Sequence, residues 1–250
     1  MAARMEGKVA IVTGASRGIG KAIAEGFARE GAKVAFCART LHEGEHQLAG
    51  SLDQTLAEIR SAGGTAIAVQ CDVSDYEACT RMVEETRREL GPIDVLVNNA
   101  ALNYFIPFAE YPVNRWVRSF AVDVHAPFWL SQLVLPDMIA RKSGAIVNIS
   151  SRGGMFPGPG PYQPGFRGGV MYGAAKAALE RMTQGIAQEV FEHNIAVNAL
   201  SPDRGVATPG VLFHKLLESE DDPRGEPMEY MVEAAILLAT RDASYTGHIT

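Results

Sequence analysis

Short apolar runs alternate with amphipathic stretches along the 250 residues of this chain. Six of the runs have the length and continuous hydrophobicity of buried parallel strands: 9–12, 33–38, 65–70, 94–97, 145–149 and 195–200. The stretches between and after them have helical periodicity, over 21–29, 51–62, 74–90, 114–141, 172–193, 211–218 and 227–240. This alternation predicts an α/β fold, with a doubly wound parallel sheet of the Rossmann type in a single domain over 1–250.

Local signals place the ends of several predicted helices. Ser51–Gln54 and Ser74–Glu77 each have the spacing of a capping box, in which a serine and an acid or amide cap a helix N-terminus. Gly63-Gly64 and Gly91-Pro92 are typical helix stops. Two segments stand apart from the regular alternation: a Gly- and Pro-rich insert at 152–170, and a stretch at 203–227 that contains the short helix predicted at 211–218. We expect both on the substrate side of the fold.

A glycine-rich turn joins the first predicted strand to the first helix. Gly14, Gly18 and Gly20 lie in Thr13–Gly20, where the missing side chains allow backbone amides to approach a ligand closely. The following helix directs the positive end of its dipole at the same turn. A phosphate group suits that environment, and the position between a buried strand and a helix makes the signal specific.

Composition excludes several other classes of function. The net charge of −6 argues against nucleic acid as a partner. No apolar run reaches the roughly 20 residues of a membrane-spanning helix, and residues 1–8 lack the apolar core of a secretory signal. Three cysteines are too few for a disulfide framework, and no His or Cys spacing suggests a metal site. We therefore expect a cytoplasmic protein that contacts neither membrane nor nucleic acid.

A tyrosine and a lysine are spaced to share one face of a helix. Tyr172 and Lys176 lie four residues apart, so the ammonium favours the phenolate form of a group that is otherwise a poor acid or base at neutral pH. Ser150-Ser151, after the fifth predicted strand, offers a hydroxyl for a carbonyl oxygen. These are the parts needed to interconvert a carbonyl and an alcohol, with the hydride supplied by a cofactor.

In the order and spacing of these motifs, the chain resembles the classical short-chain dehydrogenases/reductases over nearly its whole length. The matching segments are Thr13–Gly20, Asp72-Val73, Asn98-Asn99-Ala100, Ser151, Tyr172-x-x-x-Lys176 and Asn198–Pro202. The long loop before Ser51 and the Pro202-Asp203 pair resemble the hydroxysteroid dehydrogenase-like branch. The resemblance implies an oxidoreductase acting on a small-molecule carbonyl or alcohol, assembled as a homotetramer or homodimer.

The resemblance also implies a role for each matching residue. Tyr172 is the proton donor or acceptor, Lys176 binds the nicotinamide ribose and tunes Tyr172, and Ser151 orients the carbonyl. Asp72 contacts adenine with Val73 beside it, although Asp72 also suits a helix cap. Asn99 supports the fourth strand. The implied cofactor-binding residues are Gly14, Ser16, Arg17, Gly18, Ile19, Gly20, Arg39, Asp72, Val73, Asn99, Ala100, Tyr172, Lys176, Pro202, Val206 and Thr208.

The residues after the second strand favour NADP over NAD. Members of the family that prefer NAD have an acid there to bind both ribose hydroxyls, whereas this chain has Ala38 followed by Arg39. With Arg17 in the glycine turn, two guanidinium groups are expected near the ribose, where they suit a 2′-phosphate. The alternative is that Arg39 only ends a strand in solvent.

Four departures from the family pattern change the expectations. Asp123 stands where the family has an asparagine that holds a water of the proton relay, so its charge is available to Lys176. The insert contains Phe156, Tyr162 and Phe166, which suit either a pocket wall or a surface loop. Pro202-Asp203 replaces Pro-Gly, which places Val206 and Thr208 one residue late. The family continues through a seventh strand beyond the position of Thr250, so part of the usual subunit contact is expected to be missing.

Two other functions remain open on the sequence. The first is reduction of 3-oxoacyl thioesters, although the net negative charge gives no obvious basic patch for an acidic carrier. The second is a weakly catalytic dinucleotide-binding sensor or scaffold, for which Asp123 is the best support.

Overall fold

The fold is a parallel sheet covered by helices on both faces. The computed structural model describes residues 3–162 and 167–250. Six strands form the sheet: β1 (Val9–Thr13), β2 (Lys33–Ala38), β3 (Thr65–Gln70), β4 (Val95–Asn98), β5 (Gly144–Ile149) and β6 (Ile195–Leu200). Their order is β3-β2-β1-β4-β5-β6, with every pair parallel. The doubly wound Rossmann-type sheet predicted from the alternation is confirmed.

Helices occupy the connections between strands. They are α1 (Gly18–Arg29), α2 (Leu52–Ser61), α3 (Tyr76–Leu90), α4 (Val113–Phe120), α5 (Ala126–Arg141), α6 (Val170–Val190), α7 (Pro209–Phe213) and α8 (Met228–Ala239). A π-helical turn, Ala121–His125, joins α4 to α5, so the predicted long helix is continuous but not uniform. The helix predicted at 211–218 is wrong in extent, since α7 ends at Phe213. Two short strands, β7 (Gly205–Val206) and β8 (Gly225–Glu226), pair beside it.

Alternate residues of the strands pack on opposite faces of the sheet. Ala10 and Val12 of β1 face a core shared with α1, α2 and α8, while Val9 and Ile11 face one shared with α3, α5 and α6. All four are at most 4% exposed. Burial on both faces explains why the strands are continuously apolar. Within the described residues, no helix combines the length and apolar character needed to cross a membrane.

One predicted helix cap is confirmed and the other is wrong. The Ser51 side chain accepts a hydrogen bond from the Gln54 N–H at the start of α2. At α3, however, Asp75 is the cap and accepts from the Glu77 and Ala78 N–H groups, while the Ser74 hydroxyl donates to Asp72 at 2.7 Å. The carboxylate is one residue nearer the helix and is the stronger acceptor, so it displaces the serine from the cap.

Candidate cofactor and catalytic site

A large cleft opens at the carboxyl ends of β1 and β4, where the strand order reverses direction. Its volume is about 1770 Å³. Single drug-sized ligands usually occupy roughly 300–1,000 Å³, so the cleft has room for a dinucleotide and a second ligand. All the predicted site residues except Gly20 and Asp123 line this one cleft.

The glycine turn is packed so closely that no larger residue would fit. Gly14 has φ +69°, and a Cβ atom there would lie 2.8 Å from the Ala100 Cα atom. A Cβ atom on Gly20 would overlap the Asn99 amide nitrogen and the Gly14 carbonyl. Gly20 is therefore a packing residue behind the cleft. At the mouth of the turn, the Arg17 side chain does not cap α1, so the first N–H groups of α1 have no side-chain cap and suit an anionic ligand.

Asn99 and Thr13 fasten the end of β4 to the glycine turn. The Asn99 side chain donates to the Thr13 and Gly14 carbonyl oxygens at 2.8 and 3.2 Å. The Thr13 hydroxyl accepts from the backbone N–H groups of Asn99 and Ala100, each at 3.0 Å. These four hydrogen bonds tie the end of β4 to the glycine turn, beside Ala100, which lines the cleft.

Asp203 departs from the family pattern, but the predicted cofactor-binding residues after it, Val206 and Thr208, still line the cleft. Val206 is buried, and Thr208 caps α7 by accepting from the Val211 N–H at 3.2 Å. The Thr208 methyl group lies 3.2 Å from where a Gly18 Cβ atom would be, so the segment crosses over the glycine turn. Asp203 itself accepts from Arg152 at 3.1 Å.

The two predicted phosphate-reading arginines are in different environments. Arg17 is half-buried and donates to the Ala49 and Gly50 carbonyl oxygens at 2.9 and 2.7 Å, and burial lowers its pKa. Arg39 is exposed at the rim of the cleft. Within the described residues its guanidinium group has no hydrogen bond or ion pair. Arg17 therefore holds the loop 39–50 to the glycine turn. The N–H donors of the Arg39 guanidinium group, by contrast, are available to a ligand.

Asp72 lies at the far end of the same cleft beside Val73. Its carboxylate accepts from the Ser74 N–H and hydroxyl at 3.0 and 2.7 Å. Burial is the largest single effect on the pKa of Asp72 and opposes ionisation, but the two hydrogen bonds from Ser74 and the charges of Arg39 and Arg118 together lower that pKa. Asp72 is thus fixed as a carboxylate and does not cap α3.

Tyr172, Lys176 and Ser151 converge at the opposite end. The Lys176 Nζ atom lies 5.4 Å from the centre of the Tyr172 ring and donates to the Ile149 carbonyl at 2.7 Å. Gly153 lies between the other two: a Cβ atom there would be 3.4 Å from the Ser151 Oγ atom and 3.5 Å from the Tyr172 ring. Lys176 is only 2% exposed, whereas Tyr172 and Ser151 are half-buried and open to the cleft.

Asp123 lies beneath this group, in the π-helical turn, and is 1% exposed. One carboxylate oxygen is 4.0 Å from the Lys176 Nζ atom, and both accept from the Leu102 N–H. Burial raises the pKa of Asp123 to about 6, against the opposing effects of Lys176 and the Leu102 N–H. The predicted pairing of Asp123 with Lys176 is therefore present, although Asp123 does not reach the cleft.

Most of the aromatic residues that line the cleft beyond Tyr172 were not predicted from the sequence. Phe105, Phe108, Phe213 and His214 line this part of the cleft. They come from segments about a hundred residues apart, so no local pattern connects them. Of the insert aromatics, Phe156 lines the cleft and Tyr162 does not, while Phe166 lies outside the described residues.

The chain is similar to a known protein family over most of its length. The family described as short chain dehydrogenase matches residues 8–211. Sorbitol dehydrogenase of Cereibacter sphaeroides is 35% identical over 97% of this chain and 94% of its own length. Gluconate 5-dehydrogenase of Gluconobacter oxydans is 33% identical over 97% of this chain and 91% of its own length.

Solved structures of short-chain oxidoreductases are also similar to this chain in fold. A metagenomic short-chain oxidoreductase in complex with NADP superposes with a TM-score of 0.77 at 29% identity, covering 99% of this chain and 96% of that one. A short-chain type dehydrogenase/reductase from Mycobacterium marinum has a TM-score of 0.83 at 29% identity, covering 98% and 93% of the two chains.

Proposed function

The chain belongs to the short-chain dehydrogenase/reductase family of NAD(P)-dependent enzymes, and we propose that it uses NADP to interconvert a carbonyl and a secondary alcohol. The observation that carries this proposal is the meeting of Tyr172, Ser151 and Lys176 at one end of a cleft whose other end is a glycine turn. The uncapped α1 N-terminus and the close-packed glycines fit a dinucleotide pyrophosphate.

The chain's own residues supply the acid–base chemistry. When bound, the nicotinamide supplies or accepts the hydride. In the reducing direction, Ser151 donates a hydrogen bond to the carbonyl oxygen and Tyr172 donates its phenolic proton to the same atom. Lys176, held by the Ile149 carbonyl, supplies positive charge behind the Tyr172 ring and stabilises the phenolate that remains.

Tyr172→Phe tests this assignment. The variant keeps the ring and loses the proton, so we expect turnover to fall by at least about a hundredfold, as for loss of a general acid. NADPH affinity, measured by fluorescence titration, is expected to stay within about twofold because the phosphate contacts remain. Tyr230→Phe is the matched control, since Tyr230 is an exposed tyrosine on α8 away from the cleft. Full activity in Tyr172→Phe would remove Tyr172 from the mechanism.

Arg39 is the basis for proposing NADP rather than NAD. Its guanidinium group lies at the rim of the cleft without a partner among the described residues and suits a 2′-phosphate, and the residue directly after β2 is this arginine and not an acid that would bind the ribose hydroxyls. We expect Arg39→Asp to weaken NADPH binding at least about tenfold and to improve NADH binding. Arg81→Asp, at an exposed arginine of α3, is the control. An unchanged ratio of the two dissociation constants would contradict the assignment.

Reduction of a 3-oxoacyl thioester is the second candidate. A 3-oxoacyl-[acyl-carrier-protein] reductase of Thermotoga maritima is 32% identical over 98% of this chain and 94% of its own length. Turnover of acetoacetyl thioesters above that of simple ketones would favour this activity. A sensor or scaffold of low activity is the third, and NADPH binding without turnover of any carbonyl would favour it.

A further inference from the structure

An aromatic wall lines the substrate side of the cleft and enters neither the cofactor site nor the proton chemistry. It consists of Phe105 and Phe108 after β4, Phe156 in the insert, and Phe213 and His214 at the end of α7. The ring centres of Phe105 and His214 are 4.7 Å apart, and those of Phe213 and His214 are 5.2 Å apart. The His214 ring thus contacts both Phe105, which follows β4, and Phe213 in α7, so that these two segments meet at the cleft.

The wall is built at a cost in backbone conformation. Phe105 has φ +50°, in the left-handed region that non-glycine residues rarely adopt because it is strained for them. The Asn103 side chain accepts from the Phe105 N–H at 3.1 Å, and Gly168 packs directly on the Phe105 carbonyl. Local strain that its surroundings maintain is typical of ligand sites.

The wall leaves much apolar surface uncovered. Phe108, Phe156 and Phe213 are 68%, 55% and 51% exposed, although each borders a concave cleft. Large apolar side chains exposed along a concave cleft are typical of a binding site, because a ligand that covers them removes apolar surface from water.

The charged groups at this end partly neutralise one another. Arg152 pairs with Asp203 at 3.1 Å and also lies over the Phe156 ring at 5.1 Å. Arg204 remains exposed at the rim. The phenyl faces of Phe105, Phe108 and Phe213 offer no hydrogen-bond partner to a polyhydroxylated substrate placed against them, and desolvating a polar group without a partner is unfavourable.

We propose that the substrate is a bulky, ring-containing hydrophobic ketone or its secondary alcohol, held against Phe105, Phe213 and the neighbouring rings. This inference rests on the proposed function and names its substrate class. The ketone carbon accepts the hydride of the reduced cofactor and the oxygen accepts the Tyr172 proton, which gives the secondary alcohol and oxidised cofactor. The polyol and sugar acid in the names of two relatives are the contrasting class.

Calorimetry with Tyr172→Phe saturated with NADPH tests the inference without turnover. The probes are 2-decalone, a fused-ring ketone, and 5-ketogluconate, whose hydroxyl groups and carboxylate oppose the aromatic wall but suit Arg204. We expect 2-decalone to bind at least about tenfold more tightly. Adding Phe213→Ala to this variant is expected to weaken the binding of 2-decalone at least about fivefold. Phe191→Ala is the matched control, because Phe191 is 52% exposed and lies outside the cleft.

Tighter binding of 5-ketogluconate, absence of 2-decalone binding, or no effect of Phe213→Ala would each overturn the inference. Steady-state kinetics of the unmodified protein separates this failure from that of the proposed function. Turnover of 5-ketogluconate but not 2-decalone overturns only the substrate class. Absence of turnover of either ketone, with binding of 2-decalone intact, counts against the proposed reaction and leaves the substrate-side inference supported.

Discussion

At the scale of single residues, Asp123 departs from the pattern that the family resemblance implies, in which an asparagine stands at this place. The buried Asp123 carboxylate lies 4.0 Å from the buried Lys176 ammonium. The net charge beneath Tyr172 therefore depends on whether Asp123 is ionised. Burial raises the pKa of Asp123 from an ordinary 3.8 to about 6. Between these values the folded protein holds a proton that the unfolded chain releases, so rising pH reduces stability in that window.

Asp123→Asn removes this titration. At pH 5.0 the native carboxyl is mostly protonated and resembles the amide, whereas at pH 7.5 it is ionised and destabilising. We therefore expect the variant to gain about 1 kcal/mol of unfolding free energy relative to the native protein between pH 5.0 and 7.5. Denaturant titrations of both proteins at the two pH values measure it. Asp221→Asn is the control, because Asp221 is an exposed aspartate whose carboxylate has no ion pair within the described residues. A pH-independent difference between the two proteins would show that Asp123 is not titrating in this range.

At the scale of elements, two neighbouring residues at the start of α3 have different partners, one in the helix and the other at the cleft. Asp75 caps the helix, and Ser74 instead fixes Asp72 at the cleft. We expect Asp75→Ala to lower the free energy of unfolding by about 1 kcal/mol and leave NADPH affinity unchanged. Ser74→Ala is expected to have the smaller effect on stability and to weaken NADPH binding. The opposite pattern in denaturation and fluorescence titrations would restore Ser74 as the cap.

Local elements were predictable from sequence, and contacts between distant segments were not. The strands, the Ser51 cap and the glycine turn depend on neighbouring residues, so their patterns are visible in the chain. The π-helical turn at Asp123 and the left-handed Phe105 depend on packing against other elements. Phe213 and His214 join the wall only because α7 folds over the cleft, which the predicted helix at 211–218 did not indicate.

At the scale of the whole molecule, α4 and α5 present an apolar surface. Val113, Val117 and Phe128 are 78%, 57% and 47% exposed, and the four-residue spacing places the two valines on one side of α4. Such patches are typical of subunit interfaces, which agrees with the homotetramer or homodimer expected from the family resemblance.

Val117→Glu tests this surface. Burying a carboxylate at an interface is costly, so we expect analytical ultracentrifugation at about 10 μM to show a shift towards smaller assemblies. Phe191→Glu, at an exposed residue after α6, is expected to leave the mass unchanged. A native protein that sediments as a monomer would contradict the expectation.

The two arginines near the glycine turn have a consequence for redesign of cofactor preference. Because Arg17 ties the Ala49 and Gly50 carbonyls to the turn, replacing it would release the loop along with any phosphate contact. Arg39 carries no such structural duty in the described part of the chain. An engineer seeking an NADH-using variant should therefore begin at 39 and keep 17, because only one of the two side chains can be exchanged without rebuilding its surroundings.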